Sequence, residues 1–160
     1  RLNLLGIMKE DLSSGRSKVT RQQNSQNVLV SLWPAPIAKK SIFTADFNKS
    51  LITAEVFGSA GDLNNYQSFR FTYYPVDSST YATYPAKTPE SAFEDLKNNK
   101  GVVVVEPTSP KVSITSISSG YYLSDNYSPY LQPIYIFEGP SFAAYVSAVS
   151  EDFQAKATEN

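Results

Sequence analysis

From Tyr130 to Val149 the chain reads YLQPIYIFEGPSFAAYVSAV, and its apolar and polar positions alternate along two stretches. Leu131, Pro133, Tyr135 and Phe137 alternate with Gln132, Ile134, Ile136 and Glu138. Phe142, Ala144, Val146 and Ala148 alternate with Ala143, Tyr145, Ser147 and Val149. Period-two patterning of this kind predicts two strands, joined at the tight turn Glu138-Gly139-Pro140-Ser141, with at least one face covered. A helix is expected shortly before this hairpin. Thr88 is placed to cap it and Pro89 to occupy its first position, with Glu90, Glu94 and Asp95 along it. Ala92, Phe93 and Leu96 form its apolar stripe, and Asn98-Asn99-Lys100-Gly101 stops it, with Gly101 expected in the left-handed conformation. At about 10 residues such a helix does not persist alone, so it must dock its stripe on a sheet.

The remaining pattern fills in around these elements. Residues 1–12 place Leu4 or Leu5, Met8 and Leu12 at helical spacing, interrupted by Gly6. Ser13 to Asn27 holds one apolar side chain, Val19, and reads as a solvated loop or linker whose Arg16, Lys18 and Arg21 are too sparse for an electrostatic footprint. VLVSLWP from Val28 predicts a strand ended by Pro34 and Pro36. IFTADF (42–47), LITAEVF (51–57) and SFRFTYYPV (68–76) predict an antiparallel meander, the last strand with Phe69, Phe71 and Tyr73 on one face. Val102–Val105 is a β-branched run suited to a strand buried on both faces. Val112 and Ile114 fall out of parity with Ile117, which predicts a β-bulge near Thr115–Ser116 in a strand continuing through Tyr121 and Tyr122. Residues 124–129 read as a turn, and the polar residues from Glu151 onward as a fraying tail.

Composition narrows the function classes. With 14 basic and 15 acidic residues among 160, the net charge of −1 creates no long-range field for nucleic acid, and a nucleic-acid partner is not expected. The chain has no Cys and no His, which removes disulfides, thiolate nucleophiles, the usual zinc and haem sites, and any triad with an imidazole base. No cofactor or metal is expected. What remains for catalysis is a carboxylate pair drawn from Asp46, Glu55, Asp62, Asp77, Glu106, Asp125 and Glu138, as in a glycoside hydrolase, but nothing in the spacing pairs them. Asp62 with Asn64 and Asn65, and Asp125 with Asn126, lack the spacing of a calcium loop and read as turn residues. No phosphate loop or nucleophile elbow occurs. The expectation is a non-enzyme. Asn48-Lys49-Ser50 and Asn126-Tyr127-Ser128 fit the glycosylation rule, relevant only in a eukaryotic secretory host.

Tyrosine is the residue type left to carry binding. The sole Trp33, at a strand end beside two prolines, is expected to pack rather than to stack on a ligand. Tyr81, Tyr84, Tyr127 and Tyr130 fall in loops and form the candidate contact patch. Most of the other tyrosines read as half-buried sheet aromatics. A surface rich in Tyr, Ser and Asn with 18% charged residues suits an extracytoplasmic bacterial protein. The chain opens on Arg1 and holds neither a signal peptide nor an apolar span of about 20 residues, so the expectation is a piece of a longer protein whose membrane anchor lies outside it.

Over residues 85–150 the order helix, strand, strand, strand, strand is carried by YPAKTPESAFEDLKNNKG, VSITSISSGYYL, YLQPIYIFEG and FAAYVSAV. The Ala/Leu helix closing on a Lys-Gly turn, the strand ending in Tyr-Tyr and the Leu-x-Pro lead-in to an aromatic strand resemble PepSY-like units of membrane-anchored extracytoplasmic bacterial proteins, of the YycH and YycI regulator type. The resemblance implies an antiparallel sheet with a packed helix and a role in binding or regulating partners outside the membrane; it transfers no functional residue. The expected fold is α+β with antiparallel sheets. Its segments are an N-terminal stretch and polar linker (1–27), a β meander (28–84), a PepSY-like helix-plus-four-strand unit (85–153) and a tail (154–160). The expected function is non-catalytic binding or regulation of a protein partner in the cell envelope. A carbohydrate- or cell-wall-binding module using the tyrosine loops is the alternative, with a glycan as partner, and a carboxylate-dependent glycoside hydrolase the second.

Overall fold

The computed structural model describes residues 12, 14–21, 26–58 and 63–154. It is an α+β protein with one α-helix and two antiparallel sheets among those residues, and the chain divides into two compact units, Arg1–Val76 and Asp77–Asn160. The helix expected within residues 1–12, Asp62, and the tail beyond Gln154 lie outside the described residues.

The first unit is built on a four-stranded sheet in the order β1 (Ser17–Arg21), β2 (Asn27–Leu32), β4 (Ile52–Phe57), β5 (Tyr66–Phe71), every pair antiparallel. A two-residue strand, β3 (Ile42–Phe43), lies outside that sheet and is much shorter than the expected 42–47. Leu12 and Ile52 are buried with Leu32, Phe69 and Tyr73 packed against them. β5 starts two residues before the expected 68–76 and ends five residues short of it, but Phe69, Phe71 and Tyr73 do share a face, stacking in sequence with ring centroids 6.2 and 6.1 Å apart.

The stretch expected as a solvated linker supplies β1 instead. Its five residues are all exposed, and it is held through its backbone ladder to β2 rather than by side-chain burial. A strand of this kind leaves no hydrophobic trace in sequence, and charges on it are typical of a sheet edge. Arg16 is likewise not a loop cation. Its guanidinium lies 4.0 Å from the Trp33 ring centroid, 4.7 Å from that of Phe43 and 5.4 Å from that of Phe47, and it donates to the Phe47 carbonyl. Such cation–π contacts strengthen as the cation is desolvated. Trp33 is fully buried, as packing rather than ligand stacking requires. Its Nε1 donates to Thr44 Oγ1 (3.1 Å), a hydroxyl that in turn lies 2.8 Å from the Lys49 carbonyl. Gly15 makes this arrangement fit, since a Cβ there would stand 1.9 Å from the Trp33 carbonyl oxygen.

In the second unit the strands neighbour one another in the order β7 (Ser116–Tyr122), β8 (Gln132–Gly139), β9 (Phe142–Ser147), β6 (Val102–Val105). The β8–β9 hairpin falls where the alternation placed it, turning through Pro140 and Ser141, the latter at φ 53°. Both of its faces are buried. Phe137 and Val146, with Tyr135 beside them, meet the helix α1 (Pro89–Lys97) at Ala92, Phe93 and Leu96, while Ile134, Ile136 and Tyr145 are buried on the other face. Helix α1 starts as predicted, with Thr88 Oγ1 accepting from the Ser91 N–H and Pro89 leading.

Two expectations change here. The left-handed residue behind the helix is Asn99 (φ 59°), not Gly101. Glycine is needed at 101 because a Cβ would press on Leu96 Cδ1 at 2.9 Å and on the Tyr145 carbonyl at 3.1 Å. The Val102–Val105 run is not a central strand: β6 ends the strand order, and Val102 and Val103 are 64% and 40% exposed. The β7–β8 register is unbroken from Ser116 to Tyr122, and just ahead of it the Thr115 N–H reaches the carbonyl of Glu138 (2.8 Å), the residue that Ser116 faces, so two residues oppose one at Thr115–Ser116, where a bulge was expected. Val112 and Ile114 precede the strand, where the Ser113 carbonyl lies over Gly139. Register shifts also fall between Glu55 and Val56 and between Val103 and Val105. Of the stretch from Glu151 expected to fray, Glu151–Phe153 forms a 3-10 turn.

Two substitutions in the first unit test its backbone. Ile37 and Lys40 exchange both backbone hydrogen bonds around Ala38 (φ 49°) and Lys39 (φ 64°), a two-residue turn with both residues left-handed. Since that conformation costs a non-glycine residue about 1–2 kcal/mol and Asn-Gly suits it, replacing Ala38-Lys39 by Asn-Gly should stabilise the protein by about 1–2 kcal/mol in a urea titration followed by circular dichroism. Gly15→Ala should lower stability by about 1–3 kcal/mol in the same titration, by forcing the backbone off the Trp33 carbonyl.

Candidate functional site

The segment from Asp77 to Lys87 opens the second unit and is anchored at both ends. Asp77 accepts from the Ser79 N–H (2.9 Å), Ser79 Oγ (2.6 Å) and Thr80 Oγ1 (2.8 Å), a local turn whose hydroxyl donors hold its carboxyl below the usual carboxylate range. At the far end Pro85 offers its carbonyl to the Ser150 N–H and Oγ, both at 3.0 Å, and Ala86 bridges to Val149. Between these anchors the rings of Tyr81 and Tyr84 stand 78% and 56% exposed. Tyr84 leans on Phe153, with ring centroids 6.1 Å apart at an interplanar angle of 57°.

Lys87 joins this segment to everything beneath it. Its N–H donates to the Ala148 carbonyl (2.9 Å), its carbonyl accepts from the Tyr135 hydroxyl (2.8 Å), and its ammonium reaches Asp95 Oδ2 at 2.6 Å. The two side chains of that ion pair are 9% and 12% exposed. Lys100 approaches the other Asp95 oxygen (3.6 Å) and also binds Glu151 (2.5 Å), so a chain of alternating charges runs from the helix to the 3-10 turn. The Lys87 hydrogen bond holds the Asp95 carboxyl below its ordinary range, against the opposing pull of desolvation, with the Lys87 and Lys100 charges adding to it. Glu151 pushes the Lys100 ammonium up.

The second pair of candidate tyrosines lies in the connection between β7 and β8. Ser124 Oγ accepts from the Asn126 N–H (3.2 Å), and Ser128 Oγ donates to the Tyr130 carbonyl (2.9 Å), shaping a loop in which Tyr127 and Tyr130 are 76% and 67% exposed. Tyr122, where the strand enters the loop, has its hydroxyl pushed up by burial and by the nearby Asp125 charge.

The sheet register places both loops at one end. The β7–β8 connection opens from the pair Tyr122–Gln132, β9 ends opposite Ile134, the Ala148 N–H reaches the Pro133 carbonyl, and Pro85–Lys87 runs beside Ala148–Ser150. The two loops that carry the four tyrosines singled out in the sequence are therefore tethered at one end of the second unit's sheet. Phe153, 53% exposed, joins them. Sequence reasoning passed over Phe153 because it stands in a polar tail, and over the Lys87–Asp95 pair, although Asp95 follows Ala92 by three residues and so lies on the same helix face. The opposite end of the sheet carries a shallow depression lined by Phe93, Ile114, Thr115, Ser116 and Ile117.

The carboxylates considered for catalysis are scattered. Asp46 and Glu55 belong to the first unit, and Asp77, Glu106, Asp125 and Glu138 to the second. Asp46 accepts from the Asn48 N–H and Glu55 from Asn27 Nδ2, both at 2.8 Å. Among the described residues no cluster of three or more acidic side chains could hold a metal, and no helix is long and apolar enough to cross a membrane. The architecture defines the protein as a two-unit α+β chain with an aromatic loop end. No protein-family model, curated protein or solved structure matches it.

The ion pair beneath this end can be probed through its dependence on pH and on each partner. Because the folded state lowers the Asp95 pKa, the associated stability is fully present above the unfolded value near 3.8 and is lost as pH falls through the lower folded value. Asp95→Ala should destabilise the second unit by about 3 kcal/mol through the Lys87 charge it strands, and should weaken the acid limb of the stability–pH curve. Replacing both partners by Met and Leu should recover most of that loss. Thermal denaturation from pH 2 to 7 of the three variants reads both effects.

Proposed function

We propose that this chain is a non-catalytic, extracytoplasmic domain of a membrane-anchored bacterial protein, and that it binds or regulates a protein partner in the cell envelope through the aromatic end of its second unit. The observation that carries the reading is that Tyr81, Tyr84, Tyr127, Tyr130 and Phe153, each more than half exposed, stand on two loops and a 3-10 turn tethered at one end of the sheet. Aromatic rings with a polar tip are the residues that protein interfaces concentrate, and a scaffold with fixed loops limits the entropy lost on docking. The helix α1 and strands β6 to β9 are consistent with the PepSY-like resemblance of residues 85–150, and the polar, weakly charged composition supports the compartment.

A photo-crosslinking amino acid placed at position 84 or 127 in the full-length gene product tests this reading. Irradiated cells should yield a discrete adduct with an envelope protein from both positions and none from a control at Lys111. Retention on cell-wall glycan, abolished by Tyr81→Ala with Tyr84→Ala and unaccompanied by any protein adduct, would replace the protein partner by a carbohydrate.

A further inference from the structure

The edges of the two sheets are protected unequally. β1 carries Lys18 and Arg21 and β5 carries Arg70, so each edge strand of the first sheet presents cations to an approaching strand. Charged side chains on an edge are a recognised defence against strand addition. β6 has none. Val102–Val105 is wholly apolar, among the described residues it ends the strand order beyond β9, and Val102 and Val103 remain 64% and 40% exposed. Outward-facing backbone groups on such a strand are a template for another strand.

The charges flanking β6 select the strand it can take. Lys100 stands two residues before Val102, about half exposed and bonded on one side to Glu151, while Glu106 follows Val105 directly and is exposed. Parallel addition of a second copy would set Lys100 beside Lys100 and Glu106 beside Glu106. Antiparallel addition about Val103 sets the Lys100 end of each copy beside the Glu106 end of the other, twice, by symmetry. The register shift between Val103 and Val105 rotates the end of the strand, so the match is between strand ends reached by flexible side chains rather than between directly facing residues. We propose that β6 is a self-association surface: two copies of this chain pair antiparallel through Val102–Val105 in a two-fold arrangement, with Lys100 and Glu106 setting the orientation. An isologous contact of this kind closes on itself and does not propagate into fibres. A single four-residue strand pair falls at the small, transient end of interface sizes. This surface is separate from the aromatic end and does not depend on it.

Sedimentation velocity from about 10 µM to 1 mM should show reversible conversion of monomer to dimer for the unaltered chain, over a range suited to a weak contact. Amide exchange at Val102–Val105 should slow with concentration while that of β1 does not. Glu106→Lys and Lys100→Glu should each weaken dimerisation by about tenfold, because both symmetry-related charge pairs turn repulsive. An equimolar mixture of the two should regain it as a heterodimer. Lys100 also binds Glu151, so folding of Lys100→Glu is checked by circular dichroism; Val103→Lys, which leaves both charges in place, should give a folded monomer. A monomer throughout the range, a dimer with unchanged exchange at β6, or charge variants that dimerise as well as the parent would each overturn the proposal.

Discussion

A lysine ammonium and an aspartate carboxylate largely withdrawn from water set the terms for the second unit. Two such charges are costly to desolvate, and they persist only where geometry and further hydrogen bonds compensate. Here Lys87 is fixed through its N–H, its carbonyl and its side chain at once, to β9, β8 and α1. One residue thus registers the start of the helix against both strands of the hairpin. The apolar contact of Ala92 with Phe137 and Val146 supplies non-directional attraction. The ion pair adds direction, because only one placement of the helix puts Asp95 within reach of Lys87 and Lys100.

That constraint passes outward to the aromatic end. The backbone immediately before Lys87 is the Tyr81–Pro85 loop, and the strand segment to which Lys87 is bonded leads into the 3-10 turn bearing Phe153. Fixing Lys87 therefore fixes the tether points of two of the surfaces that carry exposed rings, and Lys100 ties the turn back to the helix through Glu151. The aromatic patch is a loop surface with a rigid foundation, the arrangement in which binding residues are commonly presented.

Elements that bury one face or one stripe were legible in the sequence, and elements defined by what they lack were not. The hairpin and the helix with its Thr88-Pro89 start follow from apolar spacing plus local stop signals and stand where the pattern put them, while in β5 the spacing placed the stacked ring face but not the strand's ends. β1 escaped because an edge strand needs no apolar side chain, only a neighbour's backbone. β6 was misread because four consecutive valines signal strand propensity without saying whether the strand is central or terminal. The turn at Ala38-Lys39 has no glycine or asparagine to announce it, and the aromatic clasp around Arg16 joins residues distant in sequence. The loop positions of Tyr81, Tyr84, Tyr127 and Tyr130 were readable; the tethering of both loops at one end depends on the β7–β8–β9 register, which spacing alone does not give.

Trp33 sits in the first unit, fully buried under the Arg16 guanidinium, and it is the only tryptophan in the chain. Of the 11 tyrosines, the three at positions 66, 73 and 74 belong to the first unit and the remaining eight to the second. Nature has in effect labelled the two halves with different chromophores. Indole emission excited at the red edge of the absorption band follows the first half alone, while phenol emission is weighted to the second. Whether the halves melt as one cooperative body or in succession can therefore be read from a single unlabelled sample, by comparing two optical transitions that coincide only when unfolding is all-or-none.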